Sequence, residues 1–275
     1  MVHQAAIATH AVTVREVRVS KIYDALRKAE RDRGRPCAAA PQAPQEPRGP
    51  GAQFKDESLI LAGMDERFRR SLLHLKNSID SEMKGKESSV ILFTSAVQGE
   101  GKTSVVASLA RVLASGEAQK ILLVDCSVRG PELHRLFGAK NEKGIIDYLG
   151  GQAKLKDIIQ SVDQGVLDLV SAGVSDGVDI TQPLFNSERL GIFIKEVAAA
   201  YDYVLIDSAA ILEAPETPIL GSHVDGIVLV IFTGKTKREV IKRAMVMVKK
   251  LDGTFIGTVL NRKRYFIPEF IYRRV

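Results

Sequence analysis

Residues 93–103 read F-T-S-A-V-Q-G-E-G-K-T, directly after the apolar run 90–93 and directly before a helix-periodic stretch over 103–114. Small residues followed by Gly99, Glu100, Gly101, Lys102 and Thr103 let backbone N–H groups close around phosphate oxygens at a helix N-terminus. Lys102 then reaches the outer phosphates, and the Thr103 hydroxyl, with Ser104 beside it, is placed for Mg²⁺. Ala96 stands where such loops usually carry their first glycine. The strand-loop-helix order separates this stretch from a chance glycine-rich turn and makes a nucleotide the expected ligand.

Working outward, short apolar runs at 90–93, 121–124, 167–170, 203–206, 227–231 and 255–260 alternate with helix-period segments at 103–114, 132–137, 144–149, 187–200 and 236–251. Nearly continuous apolar strands are expected where helices cover both faces of a sheet. The alternation therefore predicts an α/β fold, a three-layer P-loop NTPase with a mostly parallel central sheet and ligands outside the strands' carboxyl ends. Thr236 and Glu239 predict a capping box on the last helix. Asp125 ends the run ILLVD and Asp207 ends YVLID, so both carboxylates should project from strand tips towards the phosphate loop. Asp207 suits the metal-holding role. Asp125 has two roles open, metal ligation and proton acceptance, and for either aspartate the plain alternative is a turn cap.

The rest of the chain bounds these readings. Its 275 residues, 45% hydrophobic and 26% charged with net charge +6, can bury one substantial core with an appendage, and disorder throughout is excluded. No apolar run approaches the roughly 18 residues of a membrane-spanning helix, and no signal-peptide pattern is present, so a cytoplasmic location is expected. Cys37 and Cys126 lie far apart with no histidine at ligand spacing, which supports neither a disulfide framework nor a zinc site.

Residues 1–33 form an N-terminal arm that is helical or disordered. Its stretch 20–33 spaces Ile22, Ala25, Leu26 and Ala29 along one helical stripe. A proline-rich linker over 34–60 follows, and the main domain runs over 61–275, opening with a helix at 65–83. Between 233 and 275 twelve Lys or Arg face three acidic residues. Such a face fits an anionic membrane surface or acidic partner, or is simply solvated. It lacks the interleaved aromatics of nucleic-acid platforms, so no nucleic acid is expected.

Taken in order, FTSAVQGEGKT, ILLVDCSVRGPELHRLFG, GIIDYLGG, LDLVSAG and YDYVLIDSAA resemble the bacterial tyrosine kinases of capsule and exopolysaccharide systems, the CpsD/CapB-type cytoplasmic partners of a membrane adaptor. SKIYDALRKAE and the ending YFIPEFIYRRV are similar to members of that group. The resemblance implies a fold related to the chromosome-partitioning and septum-site ATPases, ATP with Mg²⁺, and phosphoryl transfer to tyrosine. It further implies peripheral recruitment to the membrane by an embedded polysaccharide chain-length or co-polymerase adaptor, with self-association. Lys102 and Thr103 match its Walker A positions, Asp125 the first aspartate of its second motif, and Asp207 the Walker B aspartate, with Thr103, Asp125 and Asp207 around the metal. Arg129 matches a basic residue that reaches phosphate or caps a turn, and Asn261 a base-reading asparagine or an ordinary turn residue.

Several positions depart from the family pattern. Ser127 replaces the second aspartate, Val97 replaces the ATPases' loop lysine, Ser208-Ala209-Ala210 stands where a proline pair is common, and Leu72 replaces the last arginine of the ring-building E-x-x-R-x-x-R. The tail offers Tyr265 and Tyr272, either as phosphate acceptors or within an apolar tail that docks on the domain. Three functions follow: a tyrosine autokinase, an ATP-binding regulatory subunit with weakened chemistry, and a partitioning-type ATPase.

Overall fold

The computed structural model describes residues 66–116, 119–163, 166–174, 185 and 188–262. The expected arm, linker and tail tyrosines lie outside these residues. Chain order is α1 (Glu66–Glu82), β1 (Ser89–Ser95), α2 (Lys102–Ala114), β2 (Ile121–Cys126), α3 (Leu133–Leu136), α4 (Ile145–Leu149), α5 (Leu155–Ile158), β3 (Ile159–Asp163), β4 (Leu167–Val170), α6 (Glu188–Ala198), β5 (Tyr203–Ser208), α7 (Glu216–Gly221), β6 (Gly226–Phe232), α8 (Arg238–Val248) and β7 (Thr254–Asn261). The seven strands form one sheet in the order β3-β4-β2-β5-β1-β6-β7. Every pairing is parallel except β3 with β4.

Strand alternation divides the core in two. Val90 and Leu92 of β1 point to one face with Tyr148, Phe193, Leu220 and Val248. Ile91 and Phe93 point to the other with Leu72, Ile79, Val105 and Leu109. Two-sided burial explains why β1, β2 and β5 are buried at every position and carry few polar residues. β3 differs: it pairs antiparallel at the sheet edge, with polar residues set between Ile159 and Val162. It was not among the six expected strands, nor were α5 and α7 among the expected helices. Each of the three is at most six residues long and shows no apolar period.

α1 confirms the expected helix at 65–83 and seats Leu72, 2% exposed, against α2. The residue replacing the ring arginine is thus a core residue. The capping box on the last helix is corrected. α8 begins at Arg238 with Lys237 as N-cap and no side-chain cap, because the Thr236 hydroxyl is drawn away to Glu100. The Leu72→Arg substitution, which would complete the ring motif, places an unpaired charge in the α1–α2 seam. It should lower stability by about 3–5 kcal/mol in urea unfolding without creating a larger oligomer in sizing chromatography.

Candidate functional site

The loop joining β1 to α2 needs glycine at two positions for a conformational reason. Gly99 and Gly101 have φ of 81° and 85°, a left-handed backbone that side chains with a Cβ rarely adopt. At Gly101 a Cβ would also collide with the Asn261 amide. The first helical hydrogen bond runs from Val105 N–H to the Gly101 carbonyl at 3.1 Å. The N–H groups of Lys102, Thr103 and Ser104 therefore have no helical acceptor and are available to an anion. Lys102 is buried at the same helix start.

Glu100 has a different place from the one expected of it. Its side chain is 1% exposed and turns into the protein. One carboxylate oxygen accepts from Ala96 N–H at 2.7 Å and Val97 N–H at 3.0 Å. The other accepts from Phe232 N–H at 3.0 Å and from the Thr236 hydroxyl. The side chain of Glu100 is thus a brace inside the loop, not a group that meets the nucleotide. Asn261 takes a structural part as well. Its Nδ2 donates to the Glu100 carbonyl at 2.9 Å and its Oδ1 accepts from Arg262 N–H at 2.8 Å, so both ends of the amide engage backbone and hold the loop from β7.

The two aspartates are brought together as expected. Asp125 and Asp207 are register partners on β2 and β5, and Phe93 flanks Asp207 on β1. Asp207 Oδ2 accepts from the Thr103 hydroxyl at 2.6 Å, closing the phosphate loop onto the strand tip. Its Oδ1 is buried with no hydrogen-bond partner among the described residues, an unspent acceptor of the kind a cation or a bound water satisfies.

Asp125 takes up the turn-cap alternative. Oδ1 accepts from Ser127 N–H at 3.0 Å, and Oδ2 from Glu132 and Leu133 N–H, both at 3.1 Å. The carboxylate caps the turn into α3. Ser127 supplies no second carboxylate.

Burial raises Asp207 to about 6, against the opposing pull of Lys102 and the Thr103 hydroxyl. Burial and then the adjacent charge of Asp207 raise Asp125 to about 7. A cation relieves this strain directly, since it favours both ionised forms. The oxygens offered by Thr103 and Asp207 suit Mg²⁺, which is held through one or two carboxylates together with phosphate oxygens. Among the described residues no group of three or more His, Cys, Asp or Glu is arranged to hold a metal without such phosphates.

Arg129 lies in the turn after β2, half exposed, with Nε 3.9 Å from a carboxylate oxygen of Glu216, which is fully buried. Neither Glu216 oxygen has a hydrogen-bond partner among the described residues. Sequence reading missed Glu216, and it missed Glu213, whose carboxylate sits on the Gln98 N–H at 3.2 and 3.3 Å across 115 residues of chain. No local pattern marks either residue, because both contacts are made only by folding.

A family model described as an AAA domain matches residues 88–254. The chain is 32% identical over 187 residues to tyrosine-protein kinase YwqD of Bacillus subtilis, covering 68% of this chain and 76% of that one. It is 31% identical over 182 residues to tyrosine-protein kinase CpsD of Streptococcus agalactiae, covering 66% and 78%. Among solved structures, the kinase domain of the Escherichia coli tyrosine kinase ETK aligns with a TM-score of 0.67 at 26% identity, covering 73% of this chain and 78% of that one. The septum site-determining protein MinD of Pyrococcus horikoshii, complexed with Mg-ADP, aligns with a TM-score of 0.54 at 25% identity, covering 68% and 76%.

Two measurements check the site. Glu100→Ala leaves three backbone N–H groups and a hydroxyl without their acceptor, and should lower stability by at least about 3 kcal/mol in urea unfolding while weakening nucleotide binding. Because both aspartates bind protons more tightly folded than unfolded, their ionisation destabilises the nucleotide-free domain progressively as pH rises from near 4 through about 6 to 7. Asp207→Asn removes one of the two buried charges. Its melting temperature relative to the wild type should therefore climb between pH 5 and pH 8, and a flat difference would contradict the coupling.

Proposed function

Because the chain belongs to the AAA-domain family and to the bacterial tyrosine kinases, we propose that it is an ATP-dependent protein tyrosine autokinase acting in exopolysaccharide or capsule synthesis and export. The observation that carries this reading is the closure of the phosphate loop on the Walker B position, Thr103 hydroxyl to Asp207 at 2.6 Å, beside the strand tips where Asp125 and Asp207 meet in register.

In this mechanism the free N–H groups of residues 102–104 and the Lys102 ammonium bind the phosphates, and the loop's rigidity holds them in line with an acceptor. Thr103 and Asp207 hold Mg²⁺, which neutralises charge on the outer phosphates when bound. Asp125 keeps the turn into α3 fixed and adds its field to Asp207 without touching the reacting atoms. Gly99, Gly101 and Ser104 contribute backbone to the phosphate cradle, and Arg129 holds the turn after β2 through Glu216. The acceptors are Tyr265 or Tyr272 of a second copy, unless that stretch docks on its own domain.

The reading extends to the setting. A membrane-embedded polysaccharide chain-length or co-polymerase adaptor is the partner, and the arm at 1–33 is the segment that meets it or the membrane. The exposed basic residues of α8 and its ends, Lys235, Lys237, Arg238, Lys242, Arg243, Lys249 and Lys250, fit an anionic membrane surface and support recruitment to the inner face of the cell membrane. Among the described residues no helix is long and apolar enough to cross a membrane.

One observation favours a second reading. Ser127 stands where the family carries a second carboxylate, Asp125 also serves as a turn cap, and a positioned base is worth about 10² to 10⁴ in rate. An ATP-binding regulatory subunit with weakened chemistry is the outcome if that loss is uncompensated. The partitioning-type ATPase lacks comparable support, since Val97 replaces its loop lysine.

Incubation of the full chain with labelled Mg-ATP, followed by phosphotyrosine blotting, separates the two. The autokinase labels Tyr265 or Tyr272, and Lys102→Ala abolishes the label. Tight ATP binding without label identifies the regulatory subunit, and absence of nucleotide binding overturns both.

A further inference from the structure

Three backbone N–H groups line the entry limb of the phosphate loop, those of Ala96, Val97 and Gln98. The first two donate to Glu100, a buried side chain also tied to Phe232 and Thr236, and are fixed parts of the loop. The third differs. Gln98 N–H donates to both carboxylate oxygens of Glu213, at 3.2 and 3.3 Å. Glu213 is exposed and belongs to the turn after β5, where its own N–H donates to the Ala210 carbonyl at 3.0 Å. Of the limb's three donors, Gln98 is the one whose partner can leave without opening the core.

A carboxylate on a phosphate loop's N–H takes the place of a phosphate oxygen. The start of α2 is built for the phosphates that di- and triphosphates share, with Lys102 reaching the outer ones. We propose that the Gln98 N–H is the donor for the last phosphate, and that Glu213, standing on it, sets the preference between ADP and ATP. A triphosphate must displace it against like-charge repulsion, whereas a diphosphate leaves it in place.

This role rests on the reading of residues 96–103 as a nucleotide loop. Calorimetry on the full chain with Mg-ADP and with the non-hydrolysable analogue Mg-AMPPNP separates the two. In Glu213→Ala the analogue should bind about tenfold more tightly and ADP within twofold of the wild type. Glu213→Gln, which keeps an acceptor oxygen and loses the charge, should fall between. An equal change for both nucleotides, no change, or a weakened analogue overturns the role of Glu213 while the loop reading stands. A wild-type chain that binds neither nucleotide overturns both. Glu213 is exposed, so a melt matching the wild type shows that the variants fold.

Discussion

The Glu100 carboxylate accepts from Ala96, Val97 and Phe232 N–H groups and from the Thr236 hydroxyl, and the architecture of the site depends on that one buried anion. A buried carboxylate is tolerated only where donors surround it, and these four come from the loop itself, the end of β6 and the approach to α8. Asn261 adds a further tie by donating to the Glu100 carbonyl from the end of β7. The loop is therefore shaped before any ligand arrives, which is the condition under which fixed N–H dipoles favour phosphate most.

On the other side of the loop the balance of charge is deliberately unfavourable. Asp125 and Asp207 are buried in register, burial makes both harder to ionise, and the charge of Asp207 adds to this at Asp125. The three backbone donors on Asp125 and the Thr103 hydroxyl on Asp207 offset only part of this. The buried, unpartnered Oδ1 of Asp207 marks where the deficit is concentrated. A divalent cation bound there would relieve it, which would couple metal and nucleotide binding to the electrostatics of the strand tips. Glu213 and Glu216 extend the same pattern into the turn after β5, where one carboxylate covers a loop donor and the other faces Arg129.

Much of this was legible in residue order. The six apolar runs all became strands: β-branched and aliphatic residues leave a continuous signature, which two-sided burial explains for all but the edge strand β7. Lys102, Thr103, Asp125 and Asp207 were legible for a related reason: each sits at a fixed offset from a strand end. β3, α5 and α7 escaped notice, since elements that short carry too few residues to show a period. The capping box failed because Thr236 had a stronger competitor for its hydroxyl, the carboxylate of a residue 136 positions away.

What the chain determined by itself is the α/β alternation, the glycine-bearing loop and the strand-end carboxylates, all written in spacings of a few residues and therefore set by local backbone geometry. Only the tertiary structure decided what each polar side chain does there. It turned Glu100 inward as a brace, spent Asp125 on a turn, committed Asn261 to the Glu100 carbonyl and brought Glu213 onto Gln98. Those outcomes are competitions between donors and acceptors far apart in the chain, settled by which groups the sheet order β2-β5-β1-β6-β7 places side by side.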